Sequence, residues 1–408
     1  MVASLVLRNA SLLDVESGEY REGDLLSVDG RIAESGPGLR APADAETLEL
    51  GGAVVLPGLI DAHVHVAAAT ADMAEMAVWP PSYTAARAAR IMAGMLERGF
   101  TTVRDVGGAD FGLADAQAEG LIRGPRLAFC GHALSQTGGH GDMRVRGDDT
   151  PAELKCCLGS DRVADGVDGV RVAARDELRK GADLIKVNAA GGIASPTDRI
   201  DSTQYSMEEL RAIVDEAEAA NRYVAAHAYT ARAVNRALEA GVRSIEHGNY
   251  IDDRSVELFL ERGAFLVPTL ATYWAMEREG AAYGLPEVSR RKAAGVLEAG
   301  MEALERAQRG GVTIVFGTDL LGPAHRYQNE EFRIRAKVQE PIDIIRSATS
   351  TAAELLRRTG EIGTLRDGAL ADLVVLDGDP LADINVLADP SHIRHVIQDG
   401  VVQDGRVR

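Results

Sequence analysis

The sequence predicts an α/β protein, a (β/α)8 barrel with a small β domain assembled from both termini. Eight short apolar, β-branched runs alternate with segments of helical period through the middle of the chain. Histidine, lysine and aspartate recur at the C-terminal ends of those runs, the end at which such barrels carry their chemistry. Both flanks read instead as short alternating strands separated by Gly, Asp and Pro turns. A doubly wound open sheet is the competing architecture, but it does not account for polar residues at the ends of so many strands.

The first flank, residues 1 to 54, carries SLVLRNASLLDV, DLLSVDGRIAES and ETLELGGAVVL, and residues 365 to 408 repeat the style with ADLVVLDG, HIRHVIQDG and VVQDGRV. Residues 1–54 plus 365–408 are therefore expected to form one β domain, and residues 55–364 the barrel. Its strands are expected at Val54 to Asp61, Thr101 to Val106, Arg126 to Cys130, Asp183 to Asn188, Tyr223 to His227, Arg243 to His247, Phe265 to Thr269 and Val312 to Gly317. Helical period marks TAARAARIMAGMLERG, DGVRVAARDELRKG, MEELRAIVDEAEAAN and ARAVNRALEAG, of which the first, second and fourth end at a glycine. Two connections are long: one from Cys130 to Asp168 and one through LLGPAHRYQNEEF. Connections of that length in a compact domain usually serve function.

A formal charge of −18 argues against nucleic acid and anionic membranes as partners. Three cysteines, Cys130 and the vicinal Cys156 and Cys157, are too few and too awkwardly spaced for a disulfide framework. No apolar stretch reaches the length of a membrane span, and the opening MVASLVLRNASLLDVESG lacks a signal-peptide layout. A cytoplasmic protein is expected, unless a leader has been removed.

His63 and His65 are two apart on a strand, so both point to one face and could chelate one metal. Histidines at strand ends also commonly just satisfy a hydrogen bond. Lys186 lies inside the apolar run DLIKVN, where an ammonium is costly to bury. It reads as a structural or edge lysine, a Schiff-base lysine, or a carbamylated lysine bridging two metals. His227, His247 and Asp319 end the fifth, sixth and eighth strands; each alone could be a core or capping group. Six ligand-type residues on five strand ends together describe a metal site.

LPGLIDAHVHV resembles the first-strand signature of the amidohydrolase superfamily, metal-dependent hydrolases on a distorted (β/α)8 TIM barrel, often with an added β-sandwich domain. The resemblance implies a carbamylated Lys186 bridging two divalent metal ions, expected to be zinc. It assigns His63, His65 and Asp319 to the more buried ion and His227 and His247 to the more exposed one. Asp319 would move the proton from the nucleophile to the departing amine.

SQTGGHGD (Ser135 to Asp142), GGIASPTD (Gly191 to Asp198) and HAYT (His227 to Thr230) resemble the Xaa-Pro dipeptidase-like and carboxypeptidase-like branch, which includes ochratoxin-hydrolysing enzymes. By that resemblance His140 and Tyr229 project into the site to polarise the scissile carbonyl and donate to its oxyanion. Tyr229 also reads as a packing aromatic. Arg144 and Arg146 could clamp a substrate carboxylate, although loop arginines are usually solvated. Tyr273, Trp274 and His325 are placed to line a pocket above the metals.

The expected activity is cleavage of an amide or peptide bond next to a free carboxylate, in Xaa-Pro and other dipeptides, N-acyl amino acids or an amide such as ochratoxin A. A cyclic-amide hydrolase resembling imidazolonepropionase is the alternative enzyme, and a catalytically inactive scaffold the alternative outside enzymes. A small-molecule substrate and a homo-oligomer are the expected partners.

Overall fold

The computed structural model describes residues 4–76, 78–150, 159–282 and 285–403. Cys130 is buried and free, whereas Cys156 and Cys157 lie outside the described residues.

The N-terminal flank forms β1 (Ser4–Asp14), β2 (Glu19–Val28), β3 (Arg31–Gly36), β4 (Glu46–Glu49) and β5 (Val54–Pro57). β1 is the organising strand: it pairs antiparallel with β2 and parallel with both β4 and β5. A bulge between Leu7 and Ala10, with Asn9 at φ 54°, separates its two parallel partners. The extra residue switches the inward parity from Leu5 and Leu7 to Ala10 and Leu12, which pack in the same core.

The middle of the chain supplies β6 (Leu59–Val64), β7 (Phe100–Asp105), β8 (Arg126–Phe129), β9 (Ala133–Ser135), β10 (Asp161–Val163), β11 (Ile185–Asn188), β12 (Val224–Thr230), β13 (Ser244–Tyr250), β14 (Phe265–Val267) and β15 (Thr313–Ile314). The eight barrel strands are β6, β7, β8 and β11 to β15, all parallel to their neighbours. Two seams close the ring: Asp183 N donates to Phe129 O at 2.8 Å, and Ala62 N donates to Phe316 O at 2.9 Å. β16 (Leu373–Leu376), β17 (Ile393–Gln398) and β18 (Val401–Val402) then return to the first sheet, in the order β18-β17-β16-β5-β1-β2-β3.

The run Val54 to Asp61 is two strands rather than one. β5 pairs with β16 and β1, whereas β6 pairs with β7. The chain changes sheets at Pro57 and Gly58. A Cβ at Gly58 would lie 2.1 Å from Thr101 Oγ1 and 2.9 Å from Thr101 Cβ, so only glycine lets the crossover pass this close to β7. Both halves are apolar because both are buried, which hides the break from periodicity. Around the junction, Val55, Leu373 and Val375 face the β-domain core, while Val54, Leu56, Val374 and Leu376 face the barrel.

Helices occupy Pro81–Glu97, Gly166–Arg179, Met207–Ala219 and Ala231–Ala240, over the four segments of helical period. Gly99, Gly181 and Gly241 follow the first, second and fourth with φ of 93°, 96° and 100°; Asn221 takes the left-handed position after the third. Strand seven stops at Val267 rather than Thr269, where the backbone turns left-handed (φ 50°). The ladder of strand eight is confined to Thr313–Ile314, because Phe316 N bonds Ser347 O instead of a neighbouring strand. The first long connection holds β9 and β10, and the second a 3-10 turn at Gly322–Tyr327 and a helix at Glu330–Arg335. Among the described residues no helix is long and apolar enough to cross a membrane.

Gly58→Ala should destabilise the protein by about 1–3 kcal/mol through overpacking. Adding Thr101→Ala should recover part of the loss in chemical denaturation. Additive losses would show that the close approach is not the cause.

Candidate active site

The first strand and the loop after the eighth place three donors together. His63 Nε2 and His65 Nε2 lie 3.4 and 3.2 Å from Asp319 Oδ1. The other ring nitrogens are already used: His63 Nδ1 donates to Glu246 Oε2 at 2.7 Å and His65 Nδ1 donates to Gly107 O at 2.8 Å. These bonds fix the tautomers that leave both Nε2 lone pairs aimed inward. His63 Nε2 is buried without a hydrogen-bond partner. The donor atoms of His63, His65 and Asp319 lie within 4.8 Å of one another, so the three could hold a metal ion. Burial opposes the Asp319 charge, but His63 and His65 hold its carboxyl well below the usual carboxylate range.

His227 and His247 come from β12 and β13. His227 Nε2 donates to Gly191 O at 3.3 Å, leaving Nδ1; His247 Nδ1 is bonded to Thr269 Oγ1 at 2.8 Å, leaving Nε2. Their ring centroids are 4.6 Å apart, and His247 is 5.1 Å from His63. Burial pushes both pKa values well down, so both rings are neutral, the form that ligates. Lys186 on β11 is buried beside them; burial lowers its ammonium pKa against the opposing pull of Glu246 and Asp319. All six residues line one cavity.

His140, Tyr229 and Tyr273 line the same cavity. His140 stacks on His227 at 4.3 Å, with Nδ1 bonded to Ser195 Oγ at 3.1 Å. A Cβ on Gly192 would fall 2.2 Å from His140 Cε1, so glycine there gives the ring its room. Tyr229 stacks on His247, and the Tyr273 hydroxyl donates to the Tyr229 hydroxyl at 3.0 Å. Burial raises both phenol pKa values and keeps them as donors.

Four candidates do not reach the cavity wall. Arg144 is turned onto Asp142, with Nε 2.7 Å from Oδ1, and Arg146 is exposed. His325 is buried behind the wall, where Nε2 donates to Ala68 O at 3.1 Å and burial pushes its pKa down to about 3. Trp274 packs edge-on against Tyr327.

Sequence reasoning missed the residues that orient these side chains. Arg104 on β7 spans the barrel interior, donating to Ala62 O, to Ser244 Oγ at 3.0 Å and to Glu246 Oε1 at 2.8 Å. The signal was present as opposite charges inside two apolar strand runs, TTVRDV and RSIEHG, since buried charges must be paired. Asp198 is the other omission: its carboxylate accepts from Gly192 N, the Ser195 hydroxyl, Gln204 and Lys292, and so seats the loop against His140.

Fold and site together define a barrel protein with a strand-end group of His63, His65 and Asp319 that could hold a metal ion. The amidohydrolase family model matches residues 54–402, and the chain belongs to that family. The chain is 48% identical to a prolidase solved with N-methylphosphonate-L-proline, at a TM-score of 0.96 over 98% of this chain and 99% of that one. It is 31% identical to a Xaa-Pro dipeptidase solved with bound methionine, at a TM-score of 0.89 over 99% of this chain and 100% of that one. To ochratoxinase of Aspergillus niger it is 33% identical over 368 residues, 86% of this chain and 76% of the relative.

Glu246 is charged in the fold: burial opposes it, but Arg104 and the His63 bond hold its carboxyl well below the usual 4.5. Such a group stabilises the fold above its unfolded pKa and loses that contribution as pH falls through the lower folded value. Stability should therefore fall below about pH 4 in the wild type. Glu246→Gln should cost about 3–5 kcal/mol at neutral pH by stranding Arg104, and its acid limb should be flatter. Parallel acid limbs in chemical denaturation would assign the titration to another group.

Proposed function

We propose that the protein is a two-metal amidohydrolase that cleaves an amide or peptide bond beside a free carboxylate. Its substrate class is Xaa-Pro and other dipeptides, N-acyl amino acids and amides of the ochratoxin type. The observation that carries the reading is that Lys186, His227 and His247 face the same cavity as the His63, His65 and Asp319 group, each histidine with one ring nitrogen to spare. In this reading His63, His65 and Asp319 would hold one divalent ion, His227 and His247 the other, and a carbamylated Lys186 would serve both. The depressed Lys186 pKa favours the neutral amine that carbamylation requires. Zinc is the expected metal, since imidazole and carboxylate donors suit it. Two such cations supply a nucleophile from water at neutral pH and polarise the scissile carbonyl.

The protein's own groups do the rest. Asp319 accepts the proton of the attacking water at its carboxylate and returns it to the departing amine. The Tyr229 hydroxyl, held by Tyr273, donates to the carbonyl oxygen as charge develops there, and the His140 ring, whose Nδ1 donates to Ser195 Oγ, does so from Nε2 in its doubly protonated form. Met76, Met143, Ile193, Met276 and Leu321 line the same cavity and give the substrate side chains an apolar wall. The likeness to prolidase and Xaa-Pro dipeptidase structures supports a bond next to a carboxylate-bearing residue as the one cleaved.

Asp319→Asn should lower kcat by several orders of magnitude on every substrate, because it removes both a ligand and the base. Retention of more than about a twentieth of wild-type kcat would place the proton transfer elsewhere. Amidating the substrate carboxylate should cost at least about 2 kcal/mol in kcat/KM, the scale of one charge-assisted contact. Equal turnover of amidated and free substrates, with cyclic amides preferred, would favour the imidazolonepropionase-like alternative.

A further inference from the structure

Two carboxylates line the cavity, Asp319 and Asp161. Asp319 is committed to His63 and His65. Asp161 opens β10, an added strand that reaches the barrel through β9 and β11. Its neighbours Ser160 and Asn188 share the cavity wall. Asn188 Nδ2 donates to Asp161 Oδ1 at 2.8 Å and the Ser160 hydroxyl donates to Oδ2. These are neutral donors; among the described residues no lysine, arginine or histidine makes an ion pair with Asp161, and each oxygen keeps a further lone pair. A Cβ on Gly141 would fall 2.4 Å from Asp161 Oδ1, so the backbone of the His140 loop lies directly against the carboxylate. Asp161 is thus a fixed, half-exposed negative charge on the cavity wall that the metal reading leaves without a task.

Asp161 lies on the flank of β9 and β11, whereas Tyr229 and Tyr273 lie on the flank formed by β12 and the segment after β14. A dipeptide in water carries its α-ammonium two bonds from the scissile carbonyl carbon and its carboxylate on the other side of the scissile bond. An N-acyl amino acid lacks the ammonium and carries a net negative charge, which a chain of −18 repels. We infer that Asp161 binds the substrate's α-ammonium group, so that dipeptides with a free N-terminus are preferred over N-acyl amino acids. The inference rests on the hydrolase reading and narrows its substrate class.

The test compares methionyl-proline with N-acetyl-methionyl-proline on the zinc-loaded full-length protein, the two sharing side chains and scissile bond. The wild type should favour the free dipeptide at least tenfold in kcat/KM, and the advantage should shrink as the substrate amine deprotonates above about pH 8. In Asp161→Asn the ratio of the two kcat/KM values should fall at least tenfold, chiefly through KM of the free dipeptide, with part of it restored in Asp161→Glu. Equal losses on both substrates would make Asp161 a structural partner of Asn188 and overturn the inference. A wild type that prefers the acetylated peptide would overturn it without any variant. Turnover of neither peptide would reject the dipeptidase reading itself, and this inference with it.

Discussion

The site depends on the seam where the first barrel strand meets the eighth, and on the buried carboxylate of Asp61 that ties it. Asp61 Oδ1 accepts from His63 N at 3.1 Å, while Oδ2 accepts from Thr318 Oγ1 at 2.6 Å and Gln328 Nε2 at 2.9 Å. Thr318 N and Asp319 N both donate to His63 O, at 3.2 and 2.8 Å. A Cβ on Gly317 would meet His63 Cβ at 2.8 Å, so the two strands touch through a glycine. Asp319 is bent into the left-handed region (φ 54°), a strained conformation for a residue with a Cβ. Burial raises the Asp61 pKa to about 6, and its three donors oppose the rise. Two donors that are 256 positions apart in sequence reach a common point because this seam holds both backbones.

Beneath the seam a second constraint sets the ring of His63. Arg104 and Glu246 are fully buried, and such a pair contributes little net stability once desolvation is counted. Its value is orientation. Arg104 reaches both Glu246 oxygens, at 2.8 and 3.0 Å, and His63 Nδ1 bonds the second at 2.7 Å, so the His63 ring inherits a fixed tautomer and angle. Above the site Lys292 does comparable work by donating to Gly192 O and Ser195 O, both at 2.9 Å, and pairing with Asp198. The loop after the fourth strand is thereby clamped to the helix at Glu287–Ala293, and its Ser195 holds the His140 ring.

Much of this was legible in the sequence because strand-end chemistry leaves a local mark. A polar residue closing an apolar run shows its position without knowledge of any partner, and His63, His65, Lys186, His227, His247 and Asp319 were all visible in that way. His140 stood out from a glycine-flanked loop, and Tyr229 through the resemblance of HAYT to the dipeptidase-like branch. What could not be read was pairing. Glu246 and Arg104 look like isolated anomalies until the barrel closes between them, and Asp198 and Lys292 meet only across 94 residues. Arg144 and Arg146 failed to reach the cavity for the complementary reason: loop direction is not encoded by period, and an Asp two residues away from Arg144 captures its guanidinium. The Pro57 and Gly58 break stayed hidden because both strands it separates are buried on both faces.

That break also explains what the β sheet contributes. β5 leads into β6 across one glycine, so the strand carrying His63 begins where a strand of the other sheet ends. Gly58 N donates to Asp372 O at 2.7 Å, Arg126 at the start of β8 reaches Asp372 and Asp399 at 2.6 and 2.5 Å, and Gln398 Nε2 donates to Thr101 O. These contacts lie at the N-terminal ends of the first three barrel strands. No cavity-lining residue comes from 4–57 or 365–403. The sheet therefore acts on the far end of the strand that bears the two histidines: it fixes where β6 enters the barrel, and a parallel strand pinned at its entry can shift its C-terminal side chains only by breaking ladder bonds along its length.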